Sequence, residues 1–488
     1  MILCRGASML KRPFPTLLLL PLLLFLTRGL GQADTAVFTE QQLPPDWFYE
    51  SSQSAADLGY AVDSGGDVNG DGYADVLVGA VKYTVTTYKG GAVFGFFGSP
   101  SGLDATPDWI FGGDQSGAEL GTAVAFAGDV NGDMIDDIIV SAAKYNHDQP
   151  REGQVYVFYG SVSGLSSTPD WTFESDQTDA YLGVSVDTAG DINGDGFDDV
   201  IMGAKWYANG ESNEGAVFLF YGSASGLSET PDRIIEGNQV GASLGSAVAG
   251  AGDVNGDGFD DVLIGAPLHD DLGEDEGIVY LYLGSGAGLC DAPIWSVKGS
   301  QTDMRMGQAV SAAGDVNGDG KADILIGAPG FDIDANPDVG AAFVFAGTAT
   351  GAADEWLWTA VSNQPYALFG SAVNSAGDIN QDGFADIAVG APQYSQDQSE
   401  EGVIYIYLGG PTGLEARPHW RAEGNKSETD FGAAIGSGGD VNLDGYDDLV
   451  VGAPEFRNQT DLRGRAFLFT GRDADALSFS VFLPLIYQ

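Results

Sequence analysis

Asp253-Val-Asn-Gly-Asp-Gly-Phe-Asp-Asp261 decides the fold. Its pattern recurs seven times, beginning at Asp67, Asp129, Asp191, Asp253, Asp315, Asp378 and Asp440, with starts 62 residues apart in five of the six intervals and 63 in the other. A period of this length marks repeated supersecondary units that stack into one body. Asp, Asn, Asp and Asp stand at loop positions 1, 3, 5 and 9 in every copy. Position 7 varies in side chain, so what it offers an ion is its backbone carbonyl, as in other calcium loops.

The candidate metal ligands are therefore Asp67, Asn69, Asp71, Tyr73 and Asp75 in the first loop and Asp129, Asn131, Asp133, Ile135 and Asp137 in the second. The third offers Asp191, Asn193, Asp195, Phe197 and Asp199, and the fourth Asp253, Asn255, Asp257, Phe259 and Asp261. Asp315, Asn317, Asp319, Lys321 and Asp323 follow in the fifth, then Asp378, Asn380, Asp382, Phe384 and Asp386 in the sixth. The seventh supplies Asp440, Asn442, Asp444, Tyr446 and Asp448. Carboxylate and carbonyl oxygens in a flexible loop suit Ca²⁺ better than Mg²⁺, which demands a stricter octahedron and keeps its waters, so up to seven Ca²⁺ are expected. Position 6 is Gly in six copies, which permits the positive φ of a chain curling around an ion; the second loop has Met134 there and is expected to bind more weakly.

An EF-hand is excluded. Its twelfth position carries a bidentate Glu; here that position is Val78, Val140, Met202, Ile264, Ile326, Val389 or Val451, within a strand-like apolar run.

Around each loop the unit reads as four short strands. In the fourth unit they are the small-residue run Leu244–Gly252, then Val262–Pro267, the β-forming Gly277–Gly284, and Pro293-Ile-Trp295. No helix-period segment intervenes. Seven such units predict an all-β, seven-bladed β-propeller of antiparallel blades. Small residues suit an innermost strand crowded at the axis, and the tryptophan strand suits the broad rim. The last unit has no tryptophan strand, while Trp47 precedes the first, so residues 45–50 are expected to close the ring as the outer strand of the seventh blade.

The chain carries 70 acidic and 20 basic residues, a formal net charge of −50, which excludes nucleic acid as a partner. With 44% hydrophobic and 11% aromatic residues it is not a disordered acidic chain. Residues 1–33 read as a signal peptide, with Arg5, Lys11 and Arg12 before the apolar run Thr16–Leu26. Secretion or display at the cell surface follows, with no transmembrane segment in the mature chain. Cleavage would remove Cys4 and leave Cys290 alone, with no intrachain disulfide. The propeller is assigned to 34–472 and a short apolar tail to 473–488.

These repeats resemble the FG-GAP repeats of the integrin α-subunit propeller. Phe369-Gly370 and Phe431-Gly432, with Leu-Gly or Met-Gly in the other copies, carry the first half of the motif; Gly265-Ala-Pro267, Gly327-Ala-Pro329, Gly390-Ala-Pro392 and Gly452-Ala-Pro454 carry the second. The resemblance implies that the metal loops stiffen one face and that ligands meet the opposite one. That face is built from connections including Tyr83–Lys89, Tyr145–Glu152, Trp206–Glu214, His269–Glu276, Phe331–Val339, Tyr394–Glu401 and Phe456–Arg463. Gly79-Ala-Val81, Ser141-Ala-Ala143 and Gly203-Ala-Lys205 depart from the motif, so the connections after them are expected to differ in conformation. The later integrin domains and their membrane helix have no counterpart in this sequence.

Catalysis has little support. His147, His269 and His419 lie in three different units and do not recur; they read as surface-loop histidines. Asp148, Asp270 and Asp271 are the nearest carboxylates on the expected ligand face and read as solvated charges, whereas Tyr83, Trp206 and Tyr207 are candidates for stacking on a sugar or peptide. The reading is a calcium-binding adhesion or ligand-binding module for an extracellular protein or glycan. The alternative is a secreted polysaccharide-active or phosphodiesterase-type enzyme using the same face.

Overall fold

The computed structural model describes residues 44–473. The segment read as a signal peptide and residues 474–488 of the expected tail lie outside them. Seven four-stranded antiparallel sheets form a seven-bladed propeller. The first blade runs Leu58–Ser64, Val76–Ala80, Ala92–Phe96, Trp109–Gly112, from axis to rim. The next five repeat this order. The seventh is composite: Ala434–Ile435, Leu449–Ala453 and Arg465–Phe469 are completed by Trp47–Glu50, with Trp47 opposite Leu468 and Glu50 opposite Arg465. The Arg465 guanidinium donates to Glu50 across this seam. Closure by the front end of the chain is thus as the spare tryptophan predicts.

The second strand of every blade is buried from end to end, as in Asp261–Ala266, because sheets press on both of its faces. Hydrophobic clusters form between blades rather than at the axis. Val76, Val78, Phe94 and Phe96 of the first blade pack with Val450, Ala466 and Leu468 of the seventh. The largest buried side chains, among them Phe94, Phe158, Phe220 and Phe345, belong to these seams. The residues that would carry helix or metal chemistry at position 12 are instead the fully buried Val78, Val140, Met202, Ile264, Ile326, Val389 and Val451.

The FG-GAP motif has a packing explanation. The glycine of the second strand in one blade lies against the FG-type glycine of the next. A Cβ on Gly265 would fall 2.2 Å from the Gly307 carbonyl oxygen, and one on Gly327 would fall 2.0 Å from that of Gly370. Gly307 and Gly370 in turn sit at φ 83° and 86°. In the second blade Ser141 replaces the first of these glycines, and its Oγ uses the close approach to donate to the Gly183 carbonyl at 2.6 Å. The three units without Gly-Ala-Pro do not diverge where expected. Tyr83, Tyr145 and Tyr207 each donate to the carbonyl three residues back, the same turn made by His269, Phe331, Tyr394 and Phe456. Proline is compatible with that turn but is not needed to form it.

At the rim, indole N–H groups stitch five blades to their successors. Trp47 donates to Asp104 O (3.0 Å), Trp109 to Ser166 O (2.7 Å), Trp171 to Ser228 O (2.8 Å), Trp295 to Ala353 O (3.1 Å) and Trp358 to Glu415 O (2.9 Å). Arg233, which stands where the others have Trp, reaches Leu289 O at 2.7 Å and makes the same stitch. Near the axis Asp63 accepts from Phe126 N (2.9 Å) and Ser437 Oγ (2.9 Å), tying the first blade to the second and to the seventh. Cys290 was expected to stand alone but is disulfide-bonded; the chain's other cysteine, Cys4, lies outside the described residues.

Trp47 combines the closing strand, an edge-on contact with Phe96 at 5.0 Å and a rim stitch. Trp47→Ala is expected to cost about 3 kcal/mol, read by thermal or denaturant melting. Deleting the chain up to residue 50 should expose the Arg465–Phe469 edge and cause self-association in sedimentation.

Candidate metal loops and the opposite face

Each Asx-rich loop joins the inner strand to the second strand of its blade, so all seven lie on one face of the disc. Their carboxylates first organise the loop itself. Asp129 Oδ1 accepts from Gly132 N (2.6 Å) and Asp133 N (3.0 Å), and its Oδ2 accepts from Met134 N (2.7 Å). Asp191, Asp253 and Asp315 repeat this set. The Asp at position 5 accepts from the amide of position 7 in every loop, for example Tyr73 N at 3.1 Å and Phe384 N at 3.1 Å. Met134 reaches φ 70°, so the second loop curls like the rest, with a methionine in a left-handed conformation that costs it about 1–2 kcal/mol. Gln381 and Leu443 likewise hold positive φ at position 4.

The Asp at position 9 does more than the sequence reading assigned to it. Asp75 Oδ2 accepts from Val68 N (2.9 Å) and Oδ1 from Gly98 N (2.8 Å), which pins its own loop and the turn after the third strand to one buried group. Asp137, Asp199, Asp261, Asp323, Asp386 and Asp448 do the same. Without a cation, burial pushes these carboxyls up, and the neighbouring aspartates push further. Asp323 rises to about 6, Asp75 and Asp448 to about 7, and Asp137, Asp199, Asp261 and Asp386 to about 8.

Position 8 also matters, a signal the repeat alignment contained and the reading passed over. Its backbone N–H donates to the position-1 carbonyl of the preceding loop all the way round, from Ala74 to Asp440 O (3.1 Å) through Asp447 to Asp378 O (3.4 Å). Where position 8 is Asp, its carboxylate also takes the position-1 amide of the preceding loop. These bonds are Asp136 to Asp67 N (2.8 Å), Asp198 to Asp129 N (2.8 Å), Asp260 to Asp191 N (2.9 Å) and Asp447 to Asp378 N (2.7 Å). The loops form one hydrogen-bonded belt.

Oxygen donors of the kind a hard cation takes are thus gathered in each loop, and one of them is conspicuously idle. Asn255 at position 3 of the fourth loop is buried, and neither its Oδ1 nor its Nδ2 has a hydrogen-bond partner. A buried amide left this way costs about 1–3 kcal/mol unless something else meets it. The donor set fits Ca²⁺.

The opposite face is regular underneath. An aromatic-type residue opens each of its connections and packs on the third strand: Tyr83 on Phe94 (5.1 Å), Tyr207 on Phe218 (5.4 Å), Tyr394 on Tyr405 (6.3 Å), Phe456 on Phe467 (5.9 Å). Tyr83 and Tyr207, read as stacking candidates, are therefore largely occupied in the blade; Trp206, 37% exposed, remains available. His269 fills the same aromatic position, is half-buried and is held below its ordinary value by burial and then by Lys298, so it is not a surface-loop histidine. His147 and His419 are loop residues whose Nδ1 atoms lie 3.1 Å from Glu174 and 3.4 Å from Glu415. Asp271 pairs with Lys298 at 2.8 Å, Asp270 caps Asp275 N at 2.8 Å, and Asp148 is exposed. They do not converge on a nucleophile.

Six glutamines brace the connections. Gln53, Gln115, Gln177, Gln239, Gln301 and Gln364 each pair through the side-chain amide with the backbone of the connection ahead, as Gln239 does with Asp270 (2.8 Å both ways). Lys426 takes this place in the seventh blade.

Cations concentrate where the Gly-Ala-Pro motif fails. Lys82 pairs with Asp57 (2.5 Å) and Lys144 with Glu119 (2.8 Å). Lys205 stands over the rings of Trp206 (5.5 Å) and Tyr181 (5.7 Å), and Arg151 also faces Tyr181 at 5.7 Å. Burial, then the Lys144 ammonium, holds Lys205 below its ordinary value. Among the described residues no carboxylate lies within ion-pairing distance of Lys205.

The FG-GAP repeat profile matches residues 58–95, 120–158, 182–220, 244–282, 306–345, 369–407 and 431–465, one stretch per blade. The chain belongs to the FG-GAP repeat family. Among curated relatives of this FG-GAP protein, integrin alpha-V of Gallus gallus is 36% identical over 221 residues, 43% of this chain and 20% of the relative. Integrin alpha-5 of Xenopus laevis is 30% identical over 239 residues, 47% of this chain and 21% of the relative. A phosphatidylinositol-glycan-specific phospholipase D of Bos taurus is 28% identical over 398 residues, 72% of this chain and 46% of the relative. The chain spans less than half the length of each. Among the described residues no helix is long and apolar enough to cross a membrane.

The raised aspartates set a pH dependence. A carboxyl whose folded pKa lies above its unfolded value binds more protons folded than unfolded, so stability falls as pH rises between the two. The cation-free protein is expected to melt higher near pH 5 than at pH 8, with the loss beginning just above the ordinary carboxylate range, accumulating steadily with pH and levelling off above about 8. Saturating Ca²⁺ should flatten that slope, as thermal melts at both pH values with and without chelator would measure.

Proposed function

We propose that this FG-GAP propeller is a secreted or cell-surface adhesion module. In this reading Ca²⁺ stiffens one face and an extracellular protein or glycan binds the other. Each ion would be held by the side-chain oxygens of positions 1, 3, 5 and 9 and the carbonyl of position 7, from Asp67 through Asp448. The ions would offset the mutual repulsion of three or four carboxylates in each loop. The integrin relatives support the adhesion reading. The observation that carries it is the Lys205, Trp206, Tyr181 and Arg151 cluster on an otherwise strongly acidic protein. A cation set against two aromatic faces suits a ligand that brings a carboxylate together with an apolar or sugar surface, such as an acidic peptide or a uronic-acid glycan. Asn425-Lys-Ser427 and Asn458-Gln-Thr460 are glycosylation sequons whose asparagines are exposed.

The second reading, an enzyme acting on polysaccharides or phosphodiesters from the same face, draws on the phospholipase D relative. Screening the protein against matrix proteins and acidic glycans in Ca²⁺ tests the first reading, with turnover assays on the same ligands testing the second. Lys205→Glu is expected to reduce ligand binding at least tenfold while leaving the melting temperature within a few degrees; undiminished binding would remove the cluster from the site.

The calcium part is tested apart from any ligand. Affinities near ~10⁻⁴–10⁻³ M are expected, as in other extracellular modules. Chelation should lower the melting temperature markedly. Met134→Gly should raise the affinity of the second loop by up to about tenfold through release of backbone strain; an unchanged calcium titration would refute that account.

A further inference from the structure

We infer that His147, Glu152 and Glu174 form a binding site for a Zn²⁺-class divalent ion on the face opposite the Asx-rich loops. The site is distinct from the seven loops in place and in donor chemistry. His147 and Glu152 come from one connection of the second blade, and Glu174 ends the blade's outer strand Trp171–Glu174. One donor atom from each lies within 4.8 Å of the other two. His147 Nδ1 stands 3.1 Å from Glu174 Oε1. Glu152 is completely buried. Its Oε1 accepts from His147 N and, at 3.3 Å, from Gln149 N.

The second observation is what these carboxylates leave undone. Glu152 Oε2 and Glu174 Oε2 are both buried, and neither has a hydrogen-bond partner. A buried charged oxygen without a partner costs more than the 1–3 kcal/mol typical of a neutral group. The corresponding positions in neighbouring blades show what a finished arrangement looks like. In the third blade Glu214 Oε2 accepts from Asn238 N at 2.9 Å, and Asn209 Nδ2 donates to Glu236. In the fourth, Lys298 donates to Asp271 at 2.8 Å. Among the described residues, only the second blade sets an imidazole between two carboxylates that both retain a vacant acceptor.

The donor set selects the ion. One imidazole nitrogen with carboxylate oxygens suits Zn²⁺ and its first-row neighbours, whereas Ca²⁺ and Mg²⁺ take all-oxygen sets. The 3.1 Å between Nδ1 and Glu174 Oε1 matches two ligands about 2 Å from one small ion. Three protein ligands leave a position open toward solvent on the His147 side, where the imidazole side chain is 57% exposed.

The test uses the untagged full-length protein in millimolar Ca²⁺, dialysed against micromolar Zn²⁺, with bound metal counted and Co²⁺ substituted for its visible spectrum. One Zn²⁺ per chain is expected to survive the Ca²⁺ excess, and Co²⁺ should give d–d bands of a nitrogen–oxygen site. His147→Asn copies the Asn209 arrangement of the third blade, so its fold should be retained, as melting would verify. It is expected to lose that ion, with affinity falling beyond the 10–100-fold typical of outer-shell changes. Glu174→Gln should weaken binding in the same direction and serves if the histidine variant melts early. Zn²⁺ held equally by both variants, or no Zn²⁺ retained by the parent protein under Ca²⁺, overturns the inference; the second result would leave His147 as a simple ion-pair partner of Glu174.

Discussion

A buried aspartate held by two backbone amides is the constraint on which each blade depends. Asp75 and its six counterparts sit where the Asx-rich loop enters the second strand, and each clamps its own loop and the turn that follows the third strand. A carboxylate at that depth is unfavourable unless its charge is met. Two N–H donors meet part of it, while the neighbouring aspartates of the loop add to the repulsion. The same group therefore fixes the fold and adds to the negative charge gathered in the loop, which is why loop and blade cannot be considered separately.

Between blades the contacts are of a different kind. Glycine against glycine brings neighbouring backbones together near the axis, phenylalanines fill the wedge that opens outward, and tryptophan N–H groups tie the rim. Each layer suits the local spacing: no side chain inside, large ones midway, and a long polar-tipped one outside. Arg233 and Ser141 show that the geometry, rather than the residue type, is conserved from blade to blade within the chain.

The architecture was legible in the sequence because the period repeats a whole blade, and a tryptophan strand displaced to the front leaves only one way to close the ring. The Asp and Asn positions were legible for the same reason. What was not legible depends on orientation. Tyr207 and Trp206 are adjacent, yet the turn sends one ring into the blade and leaves the other exposed. His269 looked like an isolated loop residue because histidine was not compared with the tyrosines and phenylalanines it replaces. The structural work of the position-9 aspartates was hidden behind their fitness as ligands, since a carboxylate suits both tasks. The cluster around Lys205 joins residues from two repeats, and no local pattern announces it. The motif departures at Val81, Ala143 and Lys205 were visible, but they alter surface chemistry where a change of backbone path was expected.

The belt linking the loops is uneven. Backbone bonds run the full circle, but the additional carboxylate links join the first four loops in series and the sixth to the seventh, because Ala74, Ala322 and Ala385 interrupt them. Mechanically the disc resembles a bracelet with a stiff arc of four segments, a stiff pair and a lone fifth segment set between softer joints. A load applied at the stiff arc, which also carries the cationic cluster on its other side, would be shared among its four blades before it reached the joint where the two ends of the chain meet.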